Sequence, residues 1–212
     1  FGKNLAKECP ANADIVVPVP DSGVPAALGY SEESKIPFEL SIIRNHYVGR
    51  TFILPTQSNR QSSVKLKHNP DRASIKGKSV VLIDDSVVRG TTSVKIVELM
   101  REAGASEIHM RIACPPIKYP DFYGIDTPET EQLLASNKSL DEMCKYIGAD
   151  SLGFLSLDGL YQSMGCKKGR NNDSPEYTDH CFTGDYPTNL NDYKSEKIQE
   201  QLSLLSENES QN

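Results

Sequence analysis

The segment Val80-Val81-Leu82-Ile83-Asp84-Asp85-Ser86-Val87-Val88-Arg89-Gly90-Thr91-Thr92 constrains the fold of this chain most strongly. Four consecutive apolar residues are too few for a helix and read as a strand buried on both faces. The strand stops at two adjacent acids. A short loop containing Gly90 follows, and then a run whose apolar residues recur at helical spacing: Val94, Val97 and Met100 on one stripe, Ile96, Leu99 and Ala103 beside it. A strand entering a helix through a glycine-containing turn is half of a βαβ unit, so a parallel sheet covered by helices is expected.

The rest of the chain repeats that alternation. Strands are expected at 14–19, 38–43, 80–83, 108–114 and 151–155, and helices at 24–33, 91–103, 129–135, 139–147 and 157–164. Thr91 or Thr92 is expected to cap the helix at 91–103, and Gly104 suits its left-handed C-terminal position. Pro20-Asp21-Ser22-Gly23 is a turn signal directly after the first strand. The stretch 44–63 shows no sustained periodicity and is polar and basic, which marks a long functional loop. The fold class is therefore α/β, a twisted, mostly parallel sheet with helices on both faces. That domain is assigned to residues 1–165. Residues 166–212 are expected to form a linker and a C-terminal extension, with a helix near 196–205 and a frayed end.

Length and charge restrict the function classes. A chain of 212 residues suits one α/β domain with an appendage. The net charge of -6 speaks against a nucleic-acid binder, which usually carries a basic face. No apolar run approaches the about 20 residues needed to span a bilayer. The five cysteines are odd in number and irregularly spaced, so they read as reduced thiols in a cytoplasmic protein. Phe1-Gly2-Lys3-Asn4-Leu5-Ala6-Lys7-Glu8 reads as the interior of an amphipathic helix with no initiator Met, as in the second half of a longer protein.

The chemistry lies in the loop after Ile83. Gly90 allows close backbone approach, and the backbone N–H groups at the following helix start make an anion site, to which Thr91 and Thr92 add hydroxyl donors. Asp84 and Asp85 repel an anion, but they can accept hydrogen bonds from two vicinal sugar hydroxyls, directly or through Mg²⁺. A sugar phosphate satisfies both halves. The nucleotide P-loop pattern Gly-x-x-x-x-Gly-Lys-Ser/Thr does not occur in this segment. Taken without its context, Asp-Asp equally fits a capping turn.

Residues 80–92 resemble the phosphoribosylpyrophosphate-binding motif of type I phosphoribosyltransferases. Val19–Gly23, Asn45–Ile53, Gly90–Ser93, Tyr123–Asp126 and Cys181–Thr188 are further similar to the glutamine phosphoribosylpyrophosphate amidotransferase family, over about residues 1–190. That resemblance implies displacement of pyrophosphate from C1 of phosphoribosylpyrophosphate by ammonia, giving 5-phosphoribosylamine in de novo purine synthesis. It implies Mg²⁺ at Ser22, Asp84 and Asp85, and a pyrophosphate loop at Asp21, Ser22 and Gly23. A 5′-phosphate cradle falls on Ser86, Arg89, Gly90, Thr91 and Thr92. Tyr47 and Arg50 would belong to a loop that closes over substrate and act with Asp84 and Asp85 in catalysis. The family's ammonia comes from an N-terminal glutaminase domain, which is expected upstream or as a separate chain. A homo-oligomer and inhibition by purine nucleotides are also implied.

Some members of that family hold a [4Fe–4S] cluster on four cysteines. Asp121 and Thr178 stand at two of those places here, so no cluster is expected. Cys166, His180 and Cys181 match no standard zinc spacing. Two other readings share the nucleotide motif: a salvage purine phosphoribosyltransferase, and a non-catalytic regulator that senses phosphoribosylpyrophosphate.

Overall fold

A computed structural model describes residues 1–45, 68–125, 127 and 129–190. Four parallel strands form the central sheet in the order β1 (Ile15–Pro18), β4 (Ser79–Asp84), β5 (Glu107–Ile112), β6 (Ser151–Phe154). Register is continuous: Val17 lies opposite Leu82, Leu82 opposite Met110, and Met110 opposite Leu152. The burial pattern of β4 explains its composition. Val80, Val81, Leu82 and Ile83 are all fully buried, so neither face tolerates a polar residue.

Alternate side chains feed two cores, one per face. On one face Val80, Leu82, Ile108 and Met110 pack against α4 (Thr91–Glu102) and α6 (Leu140–Ile147), through Ile96, Met100, Met143 and Ile147. On the other face Val16, Val81 and Ile83 pack against α1 (Gly2–Glu8) and α2 (Val24–Ser34), through Leu5, Ala27 and Tyr30. The α1–α2 approach requires Gly2, where an added Cβ would lie 1.8 Å from the Ala26 carbonyl oxygen. Ser139 and Glu142 start α6 with a reciprocal capping box, and Gly148 ends it at φ 81°.

The expected strand at 38–43 divides in two. Phe38 makes a single parallel bridge to Val16, with the Val16 N–H donating to the Pro37 carbonyl and the Glu39 N–H to the Val16 carbonyl. The chain then turns away at buried Ser41, which accepts an N–H from Asp71 on its carbonyl. Residues 42–44 form β2 (Ile42–Arg44), which pairs antiparallel with β3 (His68–Pro70), a strand not expected from sequence. A short helix α3 (Arg72–Ile75) follows β3, capped by Asp71.

The helix expected at 129–135 is a 3₁₀ turn, Thr130–Gln132, and a separate one-turn helix α5 (Leu134–Asn137). Leu133 breaks them because its side chain is fully buried with an extended backbone. Helix α7 spans Leu157–Ser163, and α8 spans His180–Thr183. The segment after Gly165 is held by a buried ion pair. The Arg170 Nε donates to Asp179 Oδ2 at 2.6 Å, and Tyr161 OH donates to the same oxygen at 2.7 Å. Burial opposes ionisation of Asp179, but the donors from Arg170, Tyr161 and Thr183 overcome it and keep its carboxyl below the usual range. Burial and the Asp179 charge push the Tyr161 phenol up to about 12. The helix expected at 196–205 lies outside the described residues.

Candidate active site

Parallel α/β sheets present ligand sites beyond the carboxyl ends of their strands, and three of the four strands contribute here. Strand β4 ends at Asp84, β1 runs into Val19–Gly23, and β5 runs into Ala113 and Cys114. Hydrogen bonds lock these ends together: Val19 N–H to the Ile83 carbonyl at 2.8 Å, and Ala113 N–H to the Asp84 carbonyl at 2.9 Å. The turn holding Asp21 and Ser22 is pressed against β4 at Gly23, where a Cβ would lie 2.5 Å from the Ile83 carbonyl oxygen. Asp21 and Ser22 themselves are exposed. The Asp21 carboxylate pairs with the Arg44 guanidinium, so β2 leans over this turn.

The two acids occupy different environments. Asp84 is 7% exposed, and its Oδ1 accepts the Asp85 N–H at 2.9 Å. Asp85 is exposed, and its Oδ1 accepts the Ser86 N–H at 2.7 Å. Burial and then the neighbouring Asp85 charge push the Asp84 carboxyl up to about 8. The same two charges act on Cys114, whose thiol burial raises to about 12 with help from Asp85 and Asp84. Two adjacent carboxyls at one strand end, one buried and one exposed, form a hard oxygen pair of the kind a divalent cation takes. Asp84 and Asp85 therefore fit Mg²⁺.

The loop behind them is shaped for an anion. Gly90, not Thr91 or Thr92, is the N-cap of α4, because the turn requires φ 76° there. A Cβ at Gly90 would also lie 2.7 Å from Leu134 Cδ2, so the loop backbone lies directly on α5. The Leu134 N–H donates to the Val88 carbonyl and fixes the loop from the other side. Gly90 has no side chain to cap α4, and the first N–H groups of a helix have no intrahelical partner, so the backbone donors over Gly90–Ser93 make a site for negative charge. Thr91 and Thr92 are exposed beside them. Arg89 is exposed, and its Nε donates to Gln132 Oε1 at 3.0 Å.

Asp21, Ser22, Gly23, Asp84, Asp85, Ser86, Arg89, Gly90, Thr91 and Thr92 thus share one sheet edge. Tyr47 and Arg50 lie outside the described residues. Sequence reading missed Cys114 and Arg44. Cys114 was detectable in principle, since the β4–β5 register sets Ile112 opposite Asp84 and puts Cys114 just beyond the acids. Arg44 had no such signal, because its strand pairing with residues 68–70 is nonlocal.

Comparison with known proteins agrees with this geometry. Residues 3–120 match the model for the Phosphoribosyl transferase domain. The chain is 62% identical over 209 residues to an amidophosphoribosyltransferase of Rhizobium etli, covering 98% of this chain and 42% of that protein. It is 53% identical over 190 residues to an amidophosphoribosyltransferase of Methanothermobacter thermautotrophicus, covering 90% of this chain and 39% of that protein. The chain thus spans about two fifths of the length of these relatives. Among solved structures, glutamine phosphoribosylpyrophosphate amidotransferase from B. subtilis, complexed with ADP and GMP, superposes with a TM-score of 0.75 at 49% identity, over 89% of this chain and 41% of that one. By the match of more than half its length, this chain belongs to the phosphoribosyltransferase domain family.

Proposed function

We propose that this chain is the transferase half of an amidophosphoribosyltransferase. In that reading it displaces pyrophosphate from C1 of phosphoribosylpyrophosphate with ammonia and forms 5-phosphoribosylamine. The observation that carries the reading is the division of the site into an acid pair and an uncapped helix start, joined by Gly90. A ligand with a diol at one end and a phosphate at the other fills both. Identity of 62% with an amidophosphoribosyltransferase supports this acceptor over a purine base.

The N–H groups over Gly90–Thr92 hold the 5′-phosphate, and the hydroxyls of Thr91 and Thr92 complete its donors. Asp84 and Asp85 accept from the ribose hydroxyls and orient C1 toward the Asp21–Gly23 turn, where the pyrophosphate lies. Mg²⁺ held by Ser22, Asp84 and Asp85 would supply charge neutralisation of the departing pyrophosphate. Arg44 releases Asp21 or follows it as the pyrophosphate enters. Ammonia attacks C1, the C1–oxygen bond breaks, and the nitrogen loses one proton. Tyr47 and Arg50 are proposed to close over the substrate and exclude water, which competes for the same carbon.

The relative from B. subtilis is complexed with ADP and GMP. A purine nucleotide carries the same ribose 5-phosphate, so competitive occupancy of the Gly90–Thr92 cradle is proposed for this chain. Ammonia from a glutaminase domain, and assembly into a homo-oligomer, are proposed by the same likeness.

The test is pyrophosphate release from phosphoribosylpyrophosphate and Mg²⁺ with ammonium chloride at alkaline pH, where free ammonia is present. Release with ammonia but not with purine bases is expected. Release with purine bases alone would establish the salvage reaction instead. No release with any acceptor, despite tight donor binding, would establish the sensing regulator.

A further inference from the structure

A second cluster of chemistry-bearing side chains lies outside the site above, where the segment after β5 meets α8. Two backbone bonds join them: the N–H groups of Lys118 and Tyr119 both donate to the Cys181 carbonyl, at 2.9 and 3.1 Å. Beside this contact the donor atoms of Asp121, His180 and Cys181 all lie within 4.8 Å of one another. Asp121 Oδ2 is 2.6 Å from His180 Nε2, and the two side chains are 3% and 8% exposed. Asp121 Oδ1 accepts the N–H groups of Tyr123 and Ile125, at 2.8 and 2.9 Å. The His180 ring is held between Tyr123 and Tyr186, with ring centres 5.0 and 5.2 Å away.

The His180 ring is buried with one nitrogen on Asp121 and the other, Nδ1, unpartnered among the described residues.

We propose that Asp121, His180 and Cys181 bind one divalent cation of the Zn²⁺ type. The donor set is one oxygen, one nitrogen and one sulfur, which suits a borderline-soft ion and leaves a fourth position for water. Carboxylate, thiolate and neutral imidazole sum to two negative charges, so the filled site is neutral and tolerates its burial. The carboxylate is already oriented by two amides, the outer support that bound ligands usually have. Binding through Nε2 leaves the ring's one proton on Nδ1, so the imidazole stays neutral, and it releases the thiol proton of Cys181 to solvent. Ligands around a tetrahedral ion stand about 3.3 Å apart, so the Asp–His pair opens slightly and the thiolate closes in. A [4Fe–4S] cluster is a different object, because it needs four thiolates and this group has one. Cys166, whose spacing to His180 and Cys181 matches no standard zinc pattern, is not part of the group; Asp121 is its third member. A bound ion would cross-link α8 to the segment that starts at Ala113 on the Asp84 carbonyl, bracing the catalytic edge from behind.

The test is cobalt titration of the full 212-residue chain after chelation, read by absorption, with circular dichroism as the check on folding. One equivalent of Co²⁺ should produce tetrahedral d–d bands and a thiolate-to-cobalt charge-transfer band, and Zn²⁺ should abolish both. Cys181→Ser should remove the charge-transfer band and weaken binding about 10–100-fold, and Asp121→Ala should weaken it similarly. Cys166→Ser should change nothing. Should Asp121→Ala fail to fold, Asp121→Asn replaces it. A folded chain that takes up no cobalt, or a charge-transfer band that survives Cys181→Ser, overturns the proposal.

Discussion

Asp84→Asn separates what the paired acids cost the empty protein from what they do for ligand. The ordinary value for this carboxyl is 3.8, and burial with the Asp85 charge raises it to about 8. The folded chain therefore keeps a proton that the unfolded chain sheds. Stability from this residue is complete below 3.8 and is lost progressively as pH rises to about 8. At pH 7 the unfolded carboxyl is 3.2 units past its midpoint, so the ceiling on the loss is about 4 kcal/mol. Asparagine has no proton to lose, and its Oδ1 still accepts the Asp85 N–H. Urea unfolding of both proteins in EDTA, across the range from pH 4 to about 8, reads the difference. The variant should be the more stable at neutral pH, by up to that ceiling, and the two should converge near pH 4. The variant should also lose Mg²⁺-dependent binding of phosphoribosylpyrophosphate. A stability difference that does not change with pH, or a variant less stable at pH 7, would refute the reasoning.

Gly90→Ala should cost about 1–2 kcal/mol from the left-handed backbone alone, and more from the contact with Leu134; thermal melts read the loss, and donor titration should show weakened phosphate binding. Asp179→Ala leaves buried Arg170 with only Asp185, the more exposed of its two carboxylate partners, and should cost about 3 kcal/mol in urea unfolding, the low end for a broken buried pair. In the same variant the Tyr161 phenol should titrate below its present value of about 12, visible by ultraviolet absorption. Cys114, with its thiol raised to about 12, should resist maleimide in the folded chain at neutral pH and react on unfolding.

The central sheet was legible because its signals are local. Val80–Ile83 had to be buried on both faces, and the glycine and threonines after them could only lead into a helix start. The parallel direction of the strands followed from alternation, while their order did not. What failed to show were features made by distant residues. β3 contains His68, Asn69 and Pro70, none a strand former, and exists because Ile42–Arg44 lies opposite. The break at Leu133 arises from its burial in tertiary packing, which no helical period encodes. Gly90 as the cap was concealed by the threonines after it, since hydroxyl residues are the usual choice. Within the site, the strand ends named Asp84, Asp85 and the Gly90–Thr92 turn, while Arg44 on Asp21 and Asp121 on His180 depend on contacts across 23 and 59 residues.

The central claim is that one sheet edge grips an activated pentose at both ends, and a structure of the chain with phosphoribosylpyrophosphate and Mg²⁺ tests it directly. The account predicts the 5′-phosphate on the N–H groups of Gly90–Thr92 and the ribose hydroxyls at Asp84 and Asp85. A donor bound elsewhere, with the Gly90 turn empty, would contradict it.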